Sequence, residues 1–276
     1  MNISGKTKVA GLLGYPVEHS FSPAMHNAAF EHLNIDCCYV TFSVRPDMLK
    51  DALNGIRALN LIGVNVTVPH KENVIPFLDE IREEALFIGA VNTVKNDEGR
   101  LIGYNTDGRG FMQSLSEEGI IIKDKRLLIF GAGGASRAVG YYLCKEASYL
   151  YLYDVDEKKA NLLRDHLNKL KGNVSAVDEG FTKNRDFLSK IDVIINATPL
   201  GLKPDDPMPF DISLVNKNHV VCDLIYKETP ILRGASKIGC KTMNGLGMLL
   251  WQGVFAFEIW TGIRPPVEIM KKALGM

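Results

Sequence analysis

Apolar and polar positions along the chain follow two alternating periods. Short apolar runs, "KVAGLL" (8–13), "CYVTFSV" (38–44) and "LIGVNVTV" (61–68), have the length and spacing of strands. Between them lie "SPAMHNAAFEHL" (22–33) and "PDMLKDALNGIRAL" (46–59), in which apolar residues recur at helical spacing. This βαβαβ order predicts a parallel sheet with helices packed on it. "VNTVKNDEGRLIGYN" (91–105) predicts a hairpin turning at Asp97–Glu98–Gly99. A second βα series starts at "RLLIFGAGGASRAVGYYLCKE" (126–146). It continues through "SYLYLYD" (148–154), a helix from about Glu157 to Leu170, "DVIINATP" (192–199), "HVVCDLIY" (219–226) and "CKTMNG" (240–245). The chain closes on two helical patterns, "GLGMLLWQGVFAFEIWTG" (245–262) and "RPPVEIMKKALG" (264–275). The junction of the two series, near Thr106–Asp107, is the expected domain boundary. Two α/β domains with a ligand cleft between them are the expected architecture.

Composition narrows the function classes. The 276 residues carry 32 basic and 32 acidic side chains, so no field favours nucleic acid or an anionic membrane. No apolar run reaches the length of a membrane span, and the N-terminus lacks a signal-peptide core. A soluble cytoplasmic protein is expected. The five cysteines form no Cys-x-x-Cys and the six histidines are scattered, which predicts reduced buried thiols and no metal site. The oligomeric state is not encoded in any such pattern.

The clearest chemical signal is "LLIFGAGGASRA" (127–138), a glycine-rich turn directly after a strand and before a helix. Gly131, Gly133 and Ser136 fall on the three positions of the dinucleotide fingerprint. Glycines let the backbone turn sharply and approach a pyrophosphate, and the helix N-terminus offers free N–H groups. An acid follows at the expected distance: Asp154, at the end of "YLYLYD". A carboxylate there accepts hydrogen bonds from ribose hydroxyls and repels a 2′-phosphate, which favours NAD over NADP. Lys158, Lys159 and Arg137 are the residues able to offset it, and Asp156 reads as a helix N-cap.

Three further segments concentrate small polar residues. In "GYPVEHSFSPAMH" (14–26), Ser20 and Ser22 lie two apart before Pro23. In an extended segment both hydroxyls point one way and can seat a carboxylate; alternatively Ser22 caps the helix with Pro23 at its first position. Asn92 and Thr93 in "GAVNTV" (89–94) can meet a ligand hydroxyl or local backbone. Asp107, after Asn105 and Thr106 in "GYNTDGRGF" (103–111), can cap a helix or pair with a lysine. Such a lysine is at hand. In "VNVTVPHKEN" (64–73), Val64, Val66 and Val68 alternate with Asn65, Thr67 and Pro69, the period of a half-buried strand, and Lys71 follows. A Lys–Asp pair around a bound alcohol suits proton transfer beside hydride transfer.

Taken together, "GYPVEHSFSPAMHN", "GVNVTVPHK", "GAVNT", "GYNTDG", "GAGGASRA", "NATPLG" and "NGLGMLLWQ", in this order, resemble the shikimate dehydrogenase (shikimate/quinate dehydrogenase) family nearly end to end. The resemblance implies reversible reduction of 3-dehydroshikimate to shikimate in aromatic amino-acid biosynthesis, with shikimate or 3-dehydroshikimate as small-molecule partner. It implies an N-terminal substrate domain (1–106 plus 246–276) and a Rossmann-type dinucleotide-binding domain (107–245), the last helices returning to the first. By motif, Lys71 and Asp107 are the catalytic pair. Ser20 and Ser22 take the substrate carboxylate, and Thr67, Asn92 and Gln252 its hydroxyl side, with Tyr226 nearby. Gly131, Ala132, Gly133, Gly134 and Ala135 hold the pyrophosphate, and Thr198 and Gly245 lie along the cofactor. One departure stands out: members using NADP commonly carry Asn-Arg-Thr or Asn-Arg-Ser where this chain has Asp154, Val155 and Asp156. The cofactor expected is NAD or NADP with NAD favoured, and NAD use admits a dual shikimate/quinate activity. A non-catalytic dinucleotide-binding sensor is the alternative of another class.

Overall fold

A computed structural model describes residues 3–203 and 205–276. In chain order the first elements are β1 (Lys8–Gly14), α1 (Ser22–His32), β2 (Cys37–Ser43), α2 (Leu49–Ala58), β3 (Gly63–Val66), β4 (Glu80–Ile81), α3 (Glu83–Ile88), β5 (Thr93–Asp97), β6 (Arg100–Tyr104) and α4 (Asp107–Glu117). There follow β7 (Arg126–Phe130), α5 (Gly134–Glu146), β8 (Tyr149–Tyr153), α6 (Glu157–Leu167), β9 (Val174–Ala176), α7 (Glu179–Thr182), α8 (Arg185–Leu188) and β10 (Val193–Asn196). The chain ends with β11 (Val220–Asp223), α9 (Pro230–Ile238), β12 (Lys241–Met243), α10 (Leu246–Thr261) and α11 (Val267–Ala273). Two compact units result: Met1–Thr106 with Leu250–Met276, and Asp107–Leu249.

The first unit is built on a six-stranded sheet in the order β2-β1-β3-β5-β6-β4. β1 runs parallel to β2 and β3, but β5 is antiparallel to both β3 and β6, so the sheet is mixed rather than wholly parallel. The hairpin forms as its sequence predicts: Asp97 faces Arg100, and the two turn residues Glu98 and Gly99 both have positive φ, the twist that suits a tight two-residue turn. One face carries Met25, Phe30, Tyr39, Trp251, Phe257, Trp260 and Met270, where α1, α10 and α11 pack. The other carries Leu13, Leu49, Leu53, Ile56, Val64, Val66, Val94 and Leu101, covered by α2.

This double covering corrects the reading of residues 64–68. Gly63, Val64, Asn65 and Val66 are all buried, because β3 lies centrally between β1 and β5 and has no solvated face. Asn65, on the supposed polar side, is 4% exposed, whereas Val68, on the supposed apolar side, is 69% exposed. The strand ends at Val66, and Thr67 keeps one bond to the neighbouring β1 by donating its N–H to Leu13 O at 2.9 Å. An apolar–polar alternation is therefore not a burial pattern when helices cover both faces of the sheet.

The second unit holds an all-parallel six-stranded sheet in the order β12-β11-β10-β7-β8-β9. Counted from its own first strand this is the doubly wound order 3-2-1-4-5-6 read from the far edge, whose ligand crevice opens where β7 and β10 diverge. α6 stops at Leu167, earlier than its apolar pattern suggests, and Asp156 caps it by accepting from Lys158 N and Lys159 N, as expected. All five cysteines are free and buried. Among the described residues, no helix is long and apolar enough to cross a membrane.

Candidate active site

In the second unit the glycine-rich turn sits at the crevice between β7 and β10. Gly131 leaves β7 with φ of +103°, a conformation L side chains rarely take, and a Cβ there would meet Ala197 O at 3.0 Å and Thr198 Cγ2 at 3.2 Å. Thr198 is thus the wall opposite the turn. Its own hydroxyl donates to Asn196 Oδ1 at 2.6 Å and accepts from Leu200 N at 3.1 Å, which fixes the loop after β10. Gly133 caps α5 without a side-chain bond to its first-turn N–H groups, and nothing lies within 4 Å of where its Cβ would be. Free N–H groups beside open space are what a pyrophosphate requires, so the residues present fit a dinucleotide. Ser136, in the third fingerprint position, is fully buried with its hydroxyl unpartnered. That burial shows why the position takes only a small side chain.

Asp154 is more committed than its sequence position suggests. One carboxylate oxygen accepts from Ala132 N at 2.7 Å and the other from Asp156 N at 2.9 Å. It braces the glycine turn from the end of β8, and each oxygen keeps a further lone pair for a ligand.

A buried cluster that the sequence did not announce closes this crevice. Asp223, at the end of β11, accepts from Ile225 N at 3.0 Å, Asn196 Nδ2 at 3.1 Å and Thr229 Oγ1 at 2.7 Å. Burial raises its pKa above the ordinary carboxylate value, against these donors, which lower it. The cluster ties the loop that carries Tyr226 to the loop that carries Thr198. Gly245 donates to Ile225 O at 3.0 Å, and a Cβ on it would overlap Leu224 O, so only glycine permits this approach. The signal available in the sequence was a polar residue ending each of two apolar strands: Asn196 in "VIIN" and Asp223 in "VVCD".

In the first unit a chain of buried polar groups runs across the sheet from Tyr39 within β2 to Thr106 after β6. Tyr39 Oη donates to Asn65 Oδ1 at 2.8 Å. Asn65 Nδ2 donates to Thr93 Oγ1 at 3.1 Å and to Asn92 O at 3.2 Å. Thr93 Oγ1 donates to Asn92 Oδ1 at 3.1 Å; Asn92 Nδ2 donates to Thr106 Oγ1 at 2.9 Å, and Thr106 N donates back to Asn92 Oδ1 at 2.8 Å. Asn92 is 2% exposed and is the hub of this chain. Lys71 is anchored beside it, since its carbonyl accepts from Val91 N at 2.8 Å.

Two local readings change. Ser22 does not cap α1: it is the first helical residue, the cap position is Phe21, and no side chain caps it. The supporting hydroxyl is that of Ser20, which accepts from Ser22 N at 3.2 Å. Because Ser22 is helical, the segment is not extended, and Ser22 is buried while Ser20 is half-buried. Asp107 is likewise the first residue of α4, buried, rather than the residue before it.

The profile of the shikimate dehydrogenase substrate binding domain matches residues 12–94, and that of the shikimate 5′-dehydrogenase C-terminal domain matches residues 245–274. A relative from Desulforamulus reducens, named shikimate dehydrogenase (NADP(+)), is 49% identical over 279 residues covering 99% of this chain and 96% of its own. The chain belongs to the shikimate dehydrogenase family. Two solved structures extend the comparison. Shikimate 5-dehydrogenase from Listeria monocytogenes, in complex with shikimate and NAD, has a TM-score of 0.91 at 37% identity, covering 99% of this chain and 98% of that one. Quinate dehydrogenase from Corynebacterium glutamicum, in complex with NAD, has a TM-score of 0.90 at 34% identity, covering 98% and 99%. Within the shikimate dehydrogenase frame, Ser20, Ser22, Thr67, Lys71, Asn92 and Gln252 belong to the first unit. Asp107, the 131–135 turn, Asp154, Thr198, Tyr226 and Gly245 belong to the second.

Proposed function

We propose that the chain is a shikimate dehydrogenase that reversibly reduces 3-dehydroshikimate to shikimate in aromatic amino-acid biosynthesis. The observation that carries this reading is a pairing within one chain of that family. A glycine turn fitted to a dinucleotide lies in one unit, and a buried amide hub, Asn92, with Lys71 anchored at its side, lies in the other. A nicotinamide dinucleotide, when bound, supplies or accepts the hydride. The protein residues manage the oxygen. The Lys71 ammonium donates a hydrogen bond to the carbonyl oxygen and delivers the proton as the hydride reaches carbon; Asp107 is its partner in that transfer. Ser20 and Ser22 seat the carboxylate, Thr67, Asn92 and Gln252 take the hydroxyls, and Tyr226 completes the site. The turn 131–135 receives the pyrophosphate on its N–H groups, with Asp154 at the ribose and Thr198 and Gly245 along the cofactor.

For the cofactor we favour NAD over NADP. Asp154 is fixed by two backbone N–H groups, Asp156 is held as a helix cap, and no arginine stands in the 154–156 segment to clamp a 2′-phosphate. The same segment supports a second reading, an NAD-dependent enzyme that also oxidises quinate. Steady-state kinetics with shikimate and quinate, each with NAD and NADP, tests both. The proposed function predicts shikimate turnover with kcat/KM higher for NAD. Dinucleotide binding without turnover of either substrate would instead make the chain a sensor.

A further inference from the structure

We propose that Tyr39 is a positioning residue of the substrate site, its phenol orienting the Asn65–Asn92 amide chain. The inference rests on the reading of Asn92 as a substrate residue. Tyr39 is fully buried and cannot itself reach solvent. Its ring is clamped: the His26 imidazole stacks on it with centroids 4.5 Å apart and planes 14° apart, and the Trp260 ring lies 6.1 Å away at 38°.

The protons in this chain have one consistent direction. Asn65 uses its Nδ2 on Asn92 O and Thr93 Oγ1, so the atom facing the phenol is Oδ1, which can only accept. The Tyr39 proton is therefore committed to Asn65. Held by that bond, the amide of Asn65 keeps Asn92 in register across β3 and β5. Substrate affinity, rather than hydride transfer, is the quantity this arrangement sets.

The test uses the full-length protein with shikimate varied at saturating dinucleotide. Tyr39→Phe keeps both ring faces packed and removes only the hydroxyl. The expected result is a KM for shikimate raised about three- to tenfold, the size of one hydrogen bond, with kcat changed by less than about twofold. The KM for the dinucleotide is unchanged. In a double-mutant cycle, Tyr39→Phe with Asn65→Ala raises KM by less than the product of the single effects. 4-Aminophenylalanine at position 39 restores a donor towards Asn65 and brings KM back within about twofold of native; it carries the test alone if the phenylalanine variant does not fold. A lowered Tm with native KM for shikimate in Tyr39→Phe, or a raised KM in the 4-aminophenylalanine protein, overturns the proposal. So do strictly multiplicative effects in the cycle. If Asn92→Ala itself leaves KM for shikimate unchanged, the assignment of Asn92 to the substrate has failed, a result distinct from failure at Tyr39 alone.

Discussion

Replacing Asp154 by asparagine separates the bracing of the glycine turn from the cofactor choice proposed for its carboxylate. The native side chain accepts from Ala132 N at 2.7 Å and Asp156 N at 2.9 Å. Asparagine keeps one oxygen for Ala132, the buried donor, and loses the bond to Asp156, which is exposed and turns to water. The stability cost is accordingly below about 1 kcal/mol. Asp154→Ala strips both acceptors and leaves the Ala132 N–H, on a residue 4% exposed, without a partner, costing about 1–3 kcal/mol. Both variants remove the same negative charge from the proposed ribose position at the end of β8. A like-charge pair about 4 Å apart is worth about 1 kcal/mol in bulk water and about 4 kcal/mol near a protein surface. The ratio of kcat/KM for NAD to that for NADP should fall at least about tenfold in Asp154→Asn, equivalent to about 1.4 kcal/mol. The assay is nicotinamide absorbance with shikimate and each cofactor, alongside a urea unfolding curve. An unchanged ratio in a normally stable Asp154→Asn protein would refute the claim that this carboxylate sets cofactor choice. A native protein strongly preferring NADP would refute its premise.

Three further outcomes are expected. Lys71→Ala should lower kcat by about 10²–10⁴-fold while NAD affinity, measured by calorimetry, stays native. His26 is buried among Tyr39, Phe257 and Trp260 with neither ring nitrogen hydrogen-bonded, and desolvation lowers its pKa from 6.5 to about 3. Below pH 6.5 the unfolded chain gains a proton the folded one refuses, so His26 costs stability at about 1.4 kcal/mol per pH unit down to about pH 3; His26→Phe should flatten the fall in urea midpoint over that window. Asp223, whose pKa is raised by burial, ionises at a cost as pH rises through its folded value, and Asp223→Asn should lessen that loss of stability at neutral and alkaline pH.

Much of this was legible from residue order alone, and the exceptions share a cause. The dinucleotide turn was visible because Gly131 and Gly133 act locally, within one strand–turn–helix unit. The hairpin was visible because Glu98 and Gly99 encode their own turn. Asn65 reads in sequence as a residue on an open face, since nothing near it reports that β5 covers one flank and α10 lies beneath. Ser22 has the sequence context of a cap, but the chain at Ser20 and Phe21 turns into the helix one residue earlier. Tyr39 and Asp223 could not be singled out: each looks like an ordinary strand residue until the register sets it opposite its partners, 26 residues away for Tyr39 and Asn65 and 27 for Asp223 and Asn196. Long-range polar pairing is what sequence periodicity does not carry.

Incubating the full-length protein with shikimate and either NAD or NADP, and following reduced nicotinamide, decides whether the chain is a shikimate dehydrogenase. The expected result is turnover that depends on shikimate, with the greater kcat/KM for NAD. Binding of dinucleotide with no shikimate-dependent signal from either cofactor would contradict it.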